Sequence, residues 1–347
     1  MTAANEAHTA LPQTPPPVSD RPIWESYLSV FEMPTIAAAD RVGLFDHLAT
    51  PHSIAELAAA AGADVPTLCA ALPMFAARGL VSVTDGRFQL TELGRTFLLR
   101  SSGYYWGHAF VAFAGDAMTR KIEQLLSGNV AQAQAGRITE GWESGGVDLA
   151  LGEQTARVMN STAIAASFGV ARLAEFRGVT RLLDVGGGSG CYSIAIARAN
   201  PHLHATMMDL ETMCRVAERY IADSGAADRV DTHAIDMFRQ DWPKGYDGCF
   251  FSNVFHDWSE ERIADLARRA FAALPSGGKI LAHEMLIEED RSGPLTVACF
   301  SMFMRLGTSG RQYTAGEIGA LFEGAGFCSV RVTRAHEYYS LVSATKP

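Results

Sequence analysis

Five acid and imidazole side chains in the second half of this sequence have the chemistry and spacing of a site: Asp184, Asp209, Asp236, His256 and Glu284. Asp184 opens Asp184-Val185-Gly186-Gly187-Gly188-Ser189-Gly190, which follows a short apolar run and precedes a helical pattern from Tyr192 to Arg198. A glycine-rich strand-to-helix turn lets backbone approach a ligand closely. The dinucleotide fingerprint asks for glycine or alanine at its third place, where this chain carries Cys191. A helix N-terminus suits phosphate, whereas a carboxylate at the strand end suits a cation. Asp209 ends the next apolar run, roughly 20 residues past the glycines, where an acid accepts hydrogen bonds from both hydroxyls of a ribose. Asp236 ends the third run and can receive the amino group of an adenine, while Met237 and Phe238 pack the ring. S-adenosylmethionine, with an ammonium, a sulfonium and no phosphate, is the cofactor this pattern suits.

The fourth apolar run enters Asn253-Val254-Phe255-His256-Asp257-Trp258. A neutral imidazole at a strand end can take the proton from an attacking hydroxyl. That role needs a holder for its other nitrogen, and Glu284, closing the run Leu281-Ala282-His283-Glu284, is placed to be one. Proton transfer of this kind contributes ~10²–10⁴-fold; in-line positioning supplies the rest.

These residues need a scaffold that brings strand ends to one edge. From Arg181 onward, short apolar runs alternate with helical patterns, which predicts an α/β fold with a parallel sheet covered by helices on both faces. Two closing runs, Ser329 to Val332 and Tyr338 to Ser343, suit an antiparallel hairpin at the sheet edge. Upstream, Ser53 and Glu56 form a capping box, Asp64 caps a second helix through Ala76, and Asp85-Gly86 joins two short strands. Pro73 should bend or shorten that second helix. Helix, helix and hairpin in this order make a winged helix. Residues 64–78 carry one basic side chain, Arg78, and the whole chain a formal charge of -9, so nucleic acid is not its expected partner.

The expected division is a disordered, proline-rich lead over 1–22, a winged-helix unit over 23–101, a helical linker over 102–177 and a cofactor-binding domain over 178–347. The linker has a Gly-rich break at Gly141 to Gly146. The composition, 48% hydrophobic and 19% charged, is that of a folded globular chain. No apolar run reaches membrane-span length and the start lacks an export signal, so the expected location is cytoplasmic, without a membrane partner. The six cysteines show no CxxC pair and no zinc spacing, and reduced core thiols are the expected state.

The motifs LLDVGGGSG (182–190), MDL (208–210), DMF (236–238), HDW (256–258), LPSGGKILAHE (274–284) and YTAGEIGALFEGAGF (313–327) together resemble the cation-independent small-molecule O-methyltransferases. That family includes caffeate, acetylserotonin, phenazine and polyketide enzymes, and the resemblance runs from about Trp24 to the end. It implies a Rossmann-like, seven-stranded methyltransferase sheet with a winged-helix dimerisation domain. It puts cofactor roles on Gly186, Asp209, Asp236, Met237 and Phe238, the general base on His256 and the orienting acid on Glu284. It places Met159, Met302 and Phe303 around a small, aromatic acceptor, and gives Trp24 and Tyr27 of one subunit a part in closing the pocket of its partner in a homodimer. We further expect Gly188, Leu210 and Ser252 at the cofactor, and Asn160 and Asp257 at the acceptor. The chain departs from the family at Gln312, which stands where plant-like members carry a second acid, and at Ser252, where they carry a basic residue.

Other readings stay open. Tyr104, Tyr105, Trp106, Phe110 and Phe113 fit core packing as well as an acceptor pocket, with Trp106 the expected contributor. C-methylation of a 2-oxo acid would use a metal, with His256 and Asp257 as candidate ligands and His283 as a third; the expected metal content is none. A relative with altered chemistry and a ligand-sensing regulator are the remaining alternatives.

Overall fold

The computed structural model describes residues 10–110, 113, 115–135, 138–144 and 147–347. Its centre is a seven-stranded sheet in the order β5-β4-β3-β6-β7-β9-β8. The strands are β3 (Arg181–Val185), β4 (His204–Asp209), β5 (Val230–Ala234), β6 (Gly248–Ser252), β7 (Lys279–Met285), β8 (Cys328–His336) and β9 (Tyr339–Thr345). β3 to β7 run parallel, and the closing β8–β9 hairpin enters antiparallel, with β9 pairing β7. The sequence expectation of a parallel sheet with an antiparallel edge hairpin holds. Helices Cys191–Ala199, Glu211–Asp223 and Glu260–Ala273 cover its faces and bury Ile194, Val216 and Leu266. Because order reverses beside β3, the carboxyl ends of β3, β4 and β6 frame a crevice, the usual ligand position in open α/β sheets.

Upstream, helices Ile54–Ala61 and Val65–Ala77 precede the hairpin of β1 (Val81–Thr84) and β2 (Arg87–Leu90). The capping box is formed: Ser53 Oγ accepts from Glu56 N at 3.3 Å and Glu56 Oε2 from Ser53 N at 2.8 Å. Losing such a cap costs about 1 kcal/mol. Pro73 does not shorten its helix, which continues to Ala77. Every residue from Thr67 to Phe75 is buried, and that packing outweighs the backbone hydrogen bond the proline forfeits. This helix packs on Leu295–Gly307, where Arg305, 3% exposed along its side chain, meets the helix-capping Asp64 at 2.8 Å.

Two segments differ from the sequence expectation. Residues 10–20, assigned to a disordered lead, lie against the sheet region: Leu11 N donates to Ser224 Oγ (3.1 Å), and His336 Nε2 sits 2.9 Å from Asp20. Leu11 packs on the apolar cluster there, which gives the segment a reason to dock. The supposed break at Gly141–Gly146 is partly helix, Ile138–Ser144, with Gly145 and Gly146 outside the described residues. Trp142 on it packs against the same cluster. All six cysteines are free, five of them buried.

Candidate active site

The glycine turn leaves β3 through Gly186 (φ +69°) and Gly188 (φ +60°), a left-handed path that a side chain would strain. At Gly187 a Cβ would come within 2.4 Å of the Met207 side chain, so the turn must be bare to pack on β4. Asp184 lies beneath the turn, 1% exposed; its Oδ2 accepts from Ser193 Oγ at 2.7 Å, and burial pushes its pKa up to about 7. It pins the start of the following helix.

Asp209 reaches across from β4. Its Oδ2 accepts from Gly188 N at 3.0 Å and its Oδ1 from Leu210 N at 2.7 Å. Burial raises its pKa to about 6, with these two N–H groups working the other way. The Gly188 amide, which would meet a phosphate oxygen in a dinucleotide site, is thus committed to a carboxylate. Asp236 accepts from Phe238 N (2.9 Å) and Arg239 N (3.2 Å), closing the turn that presents Met237 and Phe238.

These residues share a cleft of about 1040 Å³, walled by Gly186, Gly188, Asp209, Leu210, Asp236, Met237 and Phe238, with Trp258 and Ile235 completing the apolar side. Phe238 and Trp258 meet edge to face at 4.8 Å. An acid for ribose hydroxyls, an apolar wall for a purine and a turn whose amide is already spent fit S-adenosylmethionine. Ser252 is not brought to the cleft: its Oγ sits 2.9 Å from Nδ1 of the fully buried His283.

The imidazole is built from two strand ends. β6 stops at Ser252, Asn253 takes φ +53°, and a short turn over Phe255–Asp257 follows. Glu284, 2% exposed on β7, accepts from Val254 N (3.0 Å) and Phe255 N (2.9 Å) with Oε1. Its Oε2 lies 2.9 Å from His256 Nδ1, off the line of a straight hydrogen bond. His256 Nε2 is 3.8 Å from Asp257 Oδ1. Burial lowers the imidazole pKa, but the charges of Glu284 and then Asp257 outweigh it, and the net value lies above the ordinary one. Asp257 itself is pushed up to about 6, by burial first. Asp257 lines the cleft, while the adjoining His256, 5% exposed, is not among the lining residues.

The residues expected around an acceptor divide. Met159 lines the cleft, beside Gly188. Asn160 does not; its Oδ1 accepts from Ser189 Oγ at 2.6 Å and supports the glycine turn from behind. Met302 is fully buried in the core, and Phe303 stacks on Phe31 at 5.2 Å. Trp106 lies on the surface, 58% exposed, edge-on to Phe97, away from the cleft. The ring that does touch His256 is Phe300, at 5.1 Å, and Trp24 packs behind it at 5.8 Å within the same chain. Trp24 is 5% exposed within the single chain; Tyr27 stands half-exposed beside Phe303. Trp142, Thr139 and Glu140 also line the cleft and had no role in the sequence reading. Trp142 carried the only readable signal, a tryptophan inside a stretch that otherwise reads as a break. His283 is turned away from His256 and Asp257, and among the described residues no three His, Cys, Asp or Glu side chains group as a metal site.

This sheet and cleft define a Rossmann-like methyltransferase whose cofactor is S-adenosylmethionine. A family profile described as an O-methyltransferase domain matches residues 131–328. The chain is 33% identical over 316 residues to the 3-hydroxy-5-methyl-1-naphthoate 3-O-methyltransferase of Streptomyces sahachiroi, covering 86% of this chain and 87% of that one. It is 28% identical to the phenazine O-methyltransferase PhzM of Lysobacter antibioticus, over 89% and 91% of the two chains. An O-methyltransferase family 2 protein from Planctomyces limnophilus, solved with apigenin, matches with a TM-score of 0.84 at 25% identity, over 97% of this chain and 100% of that one. The protein belongs to the S-adenosylmethionine-dependent O-methyltransferase family.

Proposed function

We propose that the protein methylates a hydroxyl of a small aromatic acceptor, with His256 as general base held by Glu284. The observation that carries this reading is the pair itself: an imidazole 2.9 Å from a carboxylate that two backbone N–H groups fix in place, with the neighbouring Val254 and Asp257 lining the cleft. S-adenosylmethionine bound in the cleft supplies a methyl group on a positively charged sulfur. Asp209 accepts the ribose hydroxyls, Asp236 receives the adenine amino group, and Met237, Phe238 and Trp258 pack the purine. With Nδ1 turned to Glu284, Nε2 is the nitrogen left to take the acceptor's proton, and the same carboxylate stabilises the imidazolium that forms. Relatives named for naphthoate and phenazine substrates support an aromatic acceptor. The test is a screen of hydroxynaphthoates and simple phenols for methyl ether formation, with His256→Ala as control. Turnover that survives this substitution contradicts the assignment.

We propose further that residues 23–101 serve homodimer formation. Ile23, Tyr27 and Val30, spaced along one helical face, are 72%, 47% and 53% exposed, a stripe that a second subunit would cover. In this arrangement Tyr27, and not Trp24, is the residue available to a partner. Light scattering on Val30→Asp checks it: a dimer that becomes monomeric supports the reading, and a wild type that is monomeric removes it.

A further inference from the structure

We propose that Asn253 is a positioning residue that ties the glycine turn of the cofactor site to the His256–Glu284 pair, an inference that rests on His256 being the base. Asn253 occupies φ +53°, a left-handed conformation that asparagine adopts more readily than other side-chain-bearing residues. That one reversal ends β6 and points the next two amides, Val254 N and Phe255 N, at a single oxygen of Glu284. The carboxylate's other oxygen is left for His256 Nδ1.

The side chain of Asn253 makes the second connection. Its Nδ2 donates to the Tyr192 hydroxyl at 3.2 Å, and Tyr192 is the second residue of the helix that the glycine turn opens. Tyr192 is 6% exposed, so its ring is fixed by packing. Val254 adds a direct contact, lying 3.1 Å from where a Cβ on Gly186 would stand. Asn253 also lines the cleft together with Gly186 and Val254. A displacement of the turn by a bound cofactor would be passed through Tyr192 and Asn253 to the loop that aims the imidazole.

The test compares wild type, Asn253→Gly, which tolerates the positive φ and removes only the side chain, and Tyr192→Phe, which removes only the hydroxyl. S-adenosylhomocysteine affinity is read by calorimetry, and the ¹⁵N shifts of the His256 ring by NMR with and without that ligand, His256→Ala assigning the signal. The expected result is a ligand-dependent shift of the His256 nitrogens in the wild type that is lost in both variants, while affinity in Tyr192→Phe, whose hydroxyl is not part of the cleft lining, stays within about threefold, a change below 1 kcal/mol. The double variant should behave as either single one does. A wild-type imidazole that does not respond to the ligand, or a response that persists in both variants, overturns the proposal. Failure of His256 as the base shows separately, as methyl transfer that survives His256→Ala.

Discussion

Replacing Glu284 by glutamine changes one atom and should remove most of the activity. The side chain has two demands on it: Oε1 accepts from Val254 N and Phe255 N, and Oε2 faces His256 Nδ1 at 2.9 Å. An amide can satisfy the first only by keeping its oxygen on the two N–H groups. The opposite orientation would press its NH₂ against two buried donors, at about 1–3 kcal/mol for each one left unmade. The favoured orientation therefore turns the NH₂ toward Nδ1 and donates to it. The imidazole proton is then driven to Nε2, the position that must be vacant to receive the acceptor's proton. Loss of general-base action lowers kcat by ~10²–10⁴-fold. Because Asp209 and the glycine turn are untouched, affinity for S-adenosylhomocysteine should stay within about threefold, under 1 kcal/mol. Steady-state kinetics with a hydroxynaphthoate acceptor and calorimetry read the two quantities. A kcat within tenfold of wild type would falsify the assignment of Glu284 as the holder of the base.

Three further outcomes follow from the charges and buried groups. Asp209, with its pKa raised to about 6 by burial, must be ionised to accept both ribose hydroxyls, so cofactor affinity should fall as pH drops through 6; Asp209→Asn should bind weakly with a flat profile, and a pH-independent wild-type Kd contradicts this. At Glu317 burial opposes ionisation, yet the Arg311 hydrogen bond and the charges of Arg311 and Arg291 hold the pKa down at about 2. The lowered value stabilises the fold above the unfolded-state pKa and is lost as pH falls from 4.5 toward 2, a contribution of about 3 kcal/mol; Glu317→Gln should lower Tm at neutral pH and flatten the acid limb, and an unchanged limb counts against it. Gln312 is fully buried with neither amide atom hydrogen-bonded among the described residues, so the volume-matched Gln312→Met should leave Tm unchanged or raise it, and a fall of several degrees would reveal a partner for the amide.

The residues that make local structure or face the cleft from a strand end were legible in the sequence. The capping box at Ser53 and Glu56, the glycine turn, and Asp209 at the end of β4 are fixed by short-range rules that leave a signature in spacing. The acceptor side was legible only in part, because it depends on which face of a helix packs inward. Met159 and Asn160 are neighbours on one helix, yet one lines the cleft and the other braces Ser189. Trp106 offered a large aromatic surface with no period to say where it points, and it points to solvent. Residues 10–20 read as disordered from their prolines, a compositional rule that cannot register the few contacts, Leu11 and Asp20 among them, that dock the segment. Phe300 lay within the apolar pattern of a core helix, and only the packing of that helix on the Phe255–Asp257 turn sets its ring against His256.

The most direct test is transfer of labelled methyl from S-adenosylmethionine to a hydroxynaphthoate, comparing wild type with His256→Ala. A methyl ether is expected from the wild type and a fall of ~10²–10⁴-fold in the variant, with S-adenosylhomocysteine bound equally well by both. Methylation on carbon, or a variant as active as the wild type, would contradict this expectation.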